Sequence, residues 1–326
     1  MSDYNLSSIV PHSALSLHAG LSLQKGDDCY GFASLIPTKP LPNQPLPEQV
    51  KYHTYWRADL APLSERQILL LDSILATQSA DHSTLILWTN NAPKLQSSPS
   101  LARILAHPRF SLRQIDIPAL AQDSPLEGND TLLSLATDSK AWLDGDLVRL
   151  LLLYKFGGIW VDMDFLLLRD FRSLTESEWV IQWDCYDKPY APLNGAVMHF
   201  YKQSSFVCEM LYAMTVEPLP KRGTTDWGSL LYLKVWRRLV ANGKKPFAIL
   251  PWCFMDGRSC RLDNRLPDPF EKDSKLHETR SINLQKRLDA IVRFANISFY
   301  FLTNCDSSLQ FTFTINGPKT FQKMGG

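Results

Sequence analysis

Two aspartates, Asp162 and Asp164, stand two residues apart directly after the apolar run Ile159-Trp160-Val161. In extended chain such a pair points to one side, because side chains alternate in direction along a strand. Two carboxylates can together hold a hard divalent cation, Mn2+ or Mg2+, and leave its remaining positions to phosphate and water. A diphosphate leaving group needs that help, a Lewis acid that neutralises the charge growing on the departing oxygen. The spacing alone carries no weight. With 24 aspartates in 326 residues, chance gives about two such pairs, and the chain has two, the other being Asp144-Gly145-Asp146. Position separates them. Burying two aspartates without a cation or base is costly, so a pair that follows a buried strand argues for a ligand, against the alternative of a solvated strand end.

The elements before the pair would position it. Leu143, Leu147, Leu150, Leu151 and Tyr154 fall on one helical face, and Leu152 and Leu153 widen it, so this helix is expected to be buried on more than one side. Gly157-Gly158 can take positive φ and stop the helix. Ile159 to Val161 is then the next strand, with both carboxylates at its end. Upstream, Tyr52 to Trp56 reads as a strand, Leu63 to Thr77 as a helix, and Leu85 to Trp88 as a buried strand, an order that opens an α/β sheet. Downstream, Trp179 to Trp183 and Ala196 to Met198 read as strands, with Asn194-Gly195 as a turn between regions. Leu230 to Leu239 reads as a helix, and Phe247 to Leu250 as a strand stopped by Pro251. A proline-dense run from Ile36 to Val50 marks a linker. The expected organisation is an extension and linker over residues 1–48, an α/β domain over 49–270, and a C-terminal segment over 271–326 where the periodicity deteriorates.

Taken together, Asp146-Leu147-Val148-Arg149, the stretch Leu153 to Gly158, and Ile159-Trp160-Val161-Asp162-Met163-Asp164-Phe165 resemble a known region. It is the DXD-containing sugar-binding region of α-1,4-galactosyltransferase-like enzymes, yeast-type mannosyltransferases and the glucosylating clostridial toxins. His53-Thr54-Tyr55-Trp56 is similar to the family's first strand, and Asn194-Gly195-Ala196 with Leu250-Pro251 is similar to its downstream half, so the resemblance spans about residues 51–270. It implies a GT-A glycosyltransferase fold, with a Rossmann-like mixed sheet flanked by helices. It also implies transfer of a hexose, galactose first, from a UDP-sugar to a hydroxyl of a glycan or glycolipid, metal-dependent and with retention. Carried onto this chain, Asp164 is the direct metal ligand, and Asp162 contacts the ribose and, through water, the cation. Asp146 and Arg149 hold hydroxyls of the donor sugar. Trp56 lies near the uracil, and Trp160 stands on the ribose side where the family has tyrosine. Asp226, in Asp226-Trp227-Gly228, is the catalytic candidate on the acceptor side, with a turn or helix cap as its plain alternative. A Golgi or other secretory compartment follows by resemblance only.

One departure stands out. The family closes its site with a histidine in a C-terminal H-x-x-N-like segment. Here Leu288 to Arg293 resembles the approach to that segment, but no histidine follows His277. The alternative function is therefore a nucleotide-sugar-binding protein without turnover. A phospho-aspartate phosphatase, with Asp162 as nucleophile, is the second alternative, and magnesium-dependent aryl phosphate hydrolysis lost in Asp162→Asn would mark it.

Composition sets the outer bounds. A net charge of +1 gives no field to attract nucleic acid or an anionic membrane, and nothing fixes an oligomeric state. No stretch approaches the ~20 apolar residues that span a bilayer. Six cysteines are too sparse for a disulfide scaffold and are read mainly as free thiols, with a Cys253–Cys260 bridge the one pairing their spacing suggests.

Overall fold

The computed structural model describes residues 47–134, 141–182, 193–221, 224 and 226–250, and the backbone of 299–301. The Cys253–Cys260 pairing, the strand stop at Pro251 and the segment Leu288 to Arg293 lie outside the described residues.

The chain opens with β1 (Val50–Trp56), α1 (Glu65–Thr77) and β2 (Ser83–Thr89). Ser64 starts α1 through a capping box, with Gln67 Oε1 accepting the Ser64 backbone N–H at 3.0 Å. Two short helices, α2 (Ala92–Gln96) and α3 (Ala102–Leu105), lead to β3 (Phe110–Gln114), and α4 (Ile117–Ala121) and α5 (Asp130–Ser134) lead to α6 (Trp142–Phe156). Then come β4 (Gly158–Val161), β5 (Phe165–Leu167), β6 (Trp179–Gln182), β7 (Leu193–Phe200), α7 (Ser205–Val216), α8 (Leu231–Ala241) and β8 (Ala248–Leu250). The backbone of β9 (Phe299–Phe301) pairs antiparallel with β5.

Seven strands form a mixed sheet in the order β3-β2-β1-β4-β7-β6-β8. Strands β1 to β4 run parallel, and β7 is antiparallel to both β4 and β6. Alternation along β2 builds a core on each face. Leu85 and Leu87 pack with Leu70, Leu71 and Ile74 of α1, whereas Ile86 and Trp88 pack with the leucines of α6. The sheet is thus covered by helices on both sides, as the strand, helix, strand order implies.

Helix α6 buries Leu143, Leu147, Val148 and Leu150 to Leu153, the burial on more than one side expected of it. Its stop depends on both glycines. Gly157 has φ +63 and Gly158 φ +108, and a Cβ at either would lie 2.5 Å from the Lys202 nitrogen or 2.3 Å from the Lys51 oxygen. Buried His53 joins this turn to the sheet. Trp88 Nε1 donates to His53 Nδ1 at 3.1 Å, so His53 Nε2 is the protonated nitrogen and donates to the Gly157 carbonyl at 3.0 Å.

One expectation is corrected. Asn194-Gly195 is no turn between regions but lies inside β7. Its irregularity is spent within the ladder: pairing with β6 slips between Val180 and Ile181, and Asn194 Oδ1 accepts the Ala196 N–H at 2.9 Å. Helix α7 and the short β3 and β5, which carry weak sequence signals, complete the frame.

Candidate active site at the end of β4

Strand β4 stops at Val161, and Asp162 keeps one ladder bond, donating its N–H to the Ala196 carbonyl at 2.8 Å. Met163 and Asp164 form a turn before β5. The extended segment expected to carry both carboxylates is therefore broken by a turn, yet the period of two survives. Val161, Met163, Phe165 and Leu167 are buried, while Asp162, Asp164 and Leu166 between them are on the open side.

Arg149, about two turns into α6, ties the neighbouring acids together. Its NH2 lies 3.3 Å from Asp146 Oδ1 and 3.3 Å from Asp162 Oδ1. The sequence allowed a simple Asp146–Arg149 pair along one helix; the structure adds Asp162 as a second partner from β4. Trp160 is only 2 % exposed and lies beneath this group. Its Nε1 donates to Asp162 Oδ1 at 2.6 Å, and its ring lies 5.4 Å from the Arg149 guanidinium carbon. Asp162 is thus pinned by an indole and a guanidinium, with 29 % of its side chain exposed.

Electrostatics follow from this crowding. Burial pushes the Asp164 carboxyl up to about 7, helped by the neighbouring Asp162 charge and opposed by Arg66 and Arg149. Burial also raises Asp162, against the Arg149 charge and the Trp160 hydrogen bond. Burial would lower the Arg149 guanidinium, but Asp162, Tyr232 and Asp146 outweigh it and hold it above its ordinary range. Two close carboxylates that resist ionisation, with hard oxygen donors on the open side, fit a divalent cation. Among the described residues no group of three or more potential ligands gathers, so the protein side of such a site would be the aspartate pair alone.

Several further residues, Tyr232 without any sequence signal, shape this site. Tyr232, buried on α8, lies beside Arg149, its buried hydroxyl without a hydrogen-bond partner among the described residues. Gly195 of β7 lets the backbone pass beside both: a Cβ there would lie 2.1 Å from Arg149 NH1 and 2.6 Å from the Tyr232 hydroxyl. Gly228 packs against the Asp146 carboxylate, where a Cβ would lie 3.0 Å from Oδ2. Asp144, the other half of the second aspartate pair, is fully buried and faces away from Asp146. It accepts Arg57 NH1 at 2.8 Å and the Tyr55 hydroxyl at 3.2 Å.

The remaining sequence candidates are less central. Trp56 is half-buried at the end of β1, and its Nε1 donates to the Ala61 carbonyl at 2.9 Å. Asp226 is exposed at the start of a π-helical turn, Asp226–Leu230, where its Oδ2 accepts the Thr224 hydroxyl at 2.8 Å. The turn reaches Asp146 through Gly228, and among the described residues the Asp226 carboxylate touches neither Asp162 nor Asp164.

Comparison with known proteins bears on this site. The chain is 29% identical over 109 residues to lactosylceramide 4-alpha-galactosyltransferase of Rattus norvegicus, a match covering 31% of this chain and 26% of that protein. It therefore spans about a quarter of that relative's length. Among solved structures, it is similar to the PaToxG glycosyltransferase (TM-score 0.46, 15% identity, 67% of this chain and 76% of that one). It is also similar to mouse xyloside xylosyltransferase 1 in its apo form (TM-score 0.40, 13% identity, 64% and 86%). Residues 64–181 match the family described as the glycosyltransferase sugar-binding region containing DXD motif. Those matched residues include Asp146, Arg149 and the Asp162–Asp164 pair.

Proposed function

We propose that this chain is a metal-dependent GT-A glycosyltransferase that moves a hexose from a UDP-sugar to a hydroxyl of a glycan or glycolipid, with retention. The observation that carries the reading is the pair Asp162 and Asp164 on the open side of the β4 end, with Arg149 bridging Asp162 to Asp146. Galactose is the first donor sugar to test, supported by the similarity to a galactosyltransferase. A Golgi or other secretory location is proposed from the family resemblance of the sequence.

Bound Mn2+ or Mg2+ would supply Lewis-acid neutralisation of the leaving diphosphate. Asp164 would hold it directly. Asp162 would face the ribose, held in place by Trp160 and Arg149. Asp146 and Arg149 would present a carboxylate and a guanidinium to the sugar hydroxyls, polar groups suited to orienting a sugar. Trp56 would offer an aromatic surface to the uracil. Asp226, exposed on the turn that reaches Asp146, would face the acceptor. In calorimetric titration, UDP is expected to bind with manganese and not with chelator, and Asp164→Ala is expected to abolish the manganese-dependent part. Equal binding with and without metal, or unchanged binding in Asp164→Ala, would remove the reading.

A further inference from the structure

The acids of the site differ in their cationic partners. Asp146 and Asp162 share Arg149, and Asp144 has Arg57. Near Asp164 stands Arg66, the second residue of α1, half-buried, with an Nε that is buried and has no hydrogen-bond partner. Among the described residues its guanidinium makes no ion pair.

Its place follows from how α1 lies along the chain after β4. Ser73 Oγ accepts the Leu167 N–H at 3.0 Å, Gln78 Nε2 donates to the Arg169 carbonyl at 2.8 Å, and Gln78 Oε1 accepts the Phe171 N–H at 3.0 Å. Later helix residues meet later chain residues, so the two run side by side in one direction. Seven residues back from Ser73 is two helical turns on the same face, about 10 Å. Three residues back from Leu167 is also about 10 Å of extended chain. Those steps end at Arg66 and Asp164. Consistently, the Arg66 charge acts on the Asp164 carboxyl and opposes its upward shift.

A guanidinium beside a carboxylate, yet joined to it by no ion pair, leaves its planar fork of donors for a third group. Phosphate oxygens match that fork in charge and geometry. We propose that Arg66 is a ligand of the donor's diphosphate, reaching from α1 to phosphate held at Asp164. The proposal rests on the donor-site reading above and adds a phosphate-specific residue to it.

The test compares UDP, titrated calorimetrically with manganese, against uridine, measured by ligand-observed NMR. The proteins are wild type, Arg66→Ala, Arg66→Lys and Asp164→Ala. Arg66→Ala is expected to weaken UDP about tenfold to hundredfold, the loss of one or two charge-assisted hydrogen bonds. Uridine affinity should stay unchanged, and Arg66→Lys should recover part of the loss. UDP affinity within twofold of wild type in Arg66→Ala, with Asp164→Ala still abolishing metal-dependent binding, would overturn the role of Arg66 and leave the donor site standing. Equal weakening of UDP and uridine would assign Arg66 to packing and overturn the proposal as well. Wild-type protein that binds no UDP would sink the donor-site reading, and this proposal with it.

Discussion

At the scale of single residues, Arg149 is the centre of the site, and its position is set from outside its own helix. Trp160 lies under its plane, Asp162 and Asp146 hold its NH2, and Tyr232 and Gly195 confine its far side. Gly195 takes an ordinary backbone conformation, and what it supplies is space. Gly195→Ala puts a methyl into a gap already filled by a guanidinium and a hydroxyl, and overpacking of this kind costs about 1–3 kcal/mol. Denaturant melts should show that loss, and Tyr232→Phe in the same background should return part of it by removing one of the three atoms struck. No relief in the double variant would mean that the clashes with Arg149 and the ring of residue 232 govern the cost.

At the scale of elements, the site depends on how the start of α6 is joined to the end of β1. Arg57, just past β1, makes a bidentate contact with Asp59 at 2.8 and 2.6 Å and reaches Asp144 at 2.8 Å. Asp144 has no exposed surface, so taking away its cation leaves a buried carboxylate undercompensated. Arg57→Met is expected to cost about 3 kcal/mol or more in chemical denaturation, and Tyr55→Phe only about 1 kcal/mol, the worth of one hydrogen bond. Equal costs for the two would show that the ion pair adds nothing beyond its hydrogen bonds. The pairing also explains why Asp144-Gly145-Asp146 matches the spacing of the site pair without sharing its role. Residues two apart on a helix face different directions, so Asp144 meets β1 while Asp146 meets Arg149.

At the scale of the whole molecule, pH sets stability through groups buried far from solvent. Burial lowers His53 and His199 to about 4, so both stay neutral in the folded chain while the unfolded chain protonates them near their ordinary value. The unfolded state then binds more protons, and folding loses up to about 3 kcal/mol per histidine as pH falls from about 6.5 to 4. Glu178 works the other way. Burial pushes it up to about 7, against hydrogen bonds from Ser204 and Tyr201, so its contribution is present in acid and is lost as pH rises through 7. Glu178→Gln keeps an acceptor for the Tyr201 N–H, bonded at 3.0 Å. It should therefore gain about 1–2 kcal/mol at pH 8, gain nothing at pH 4, and steepen the acid loss. Denaturant titrations at pH 4, 6 and 8 would check this, and an equal gain at all three would exclude a titration effect.

What the sequence by itself determined was whatever a few neighbouring residues can fix. The buried face of α6, the double-glycine stop, the short β4 and the aspartate pair on one side follow from periodicity and φ preference, and each is found where it was expected. Asn194-Gly195 marks the limit of that reasoning. The dipeptide announces a departure from regular chain, but only pairing with β6 makes that departure an irregularity inside β7 instead of a turn. The tertiary structure alone decided which charges meet. Arg149 takes Asp162 as well as Asp146, Asp144 takes Arg57, Tyr232 closes over Arg149, and α1 brings Arg66 alongside Asp164. Ion pairing and close backbone approach depend on distances between segments far apart in the chain, and those distances are set when the sheet and its helices pack, not by any local pattern.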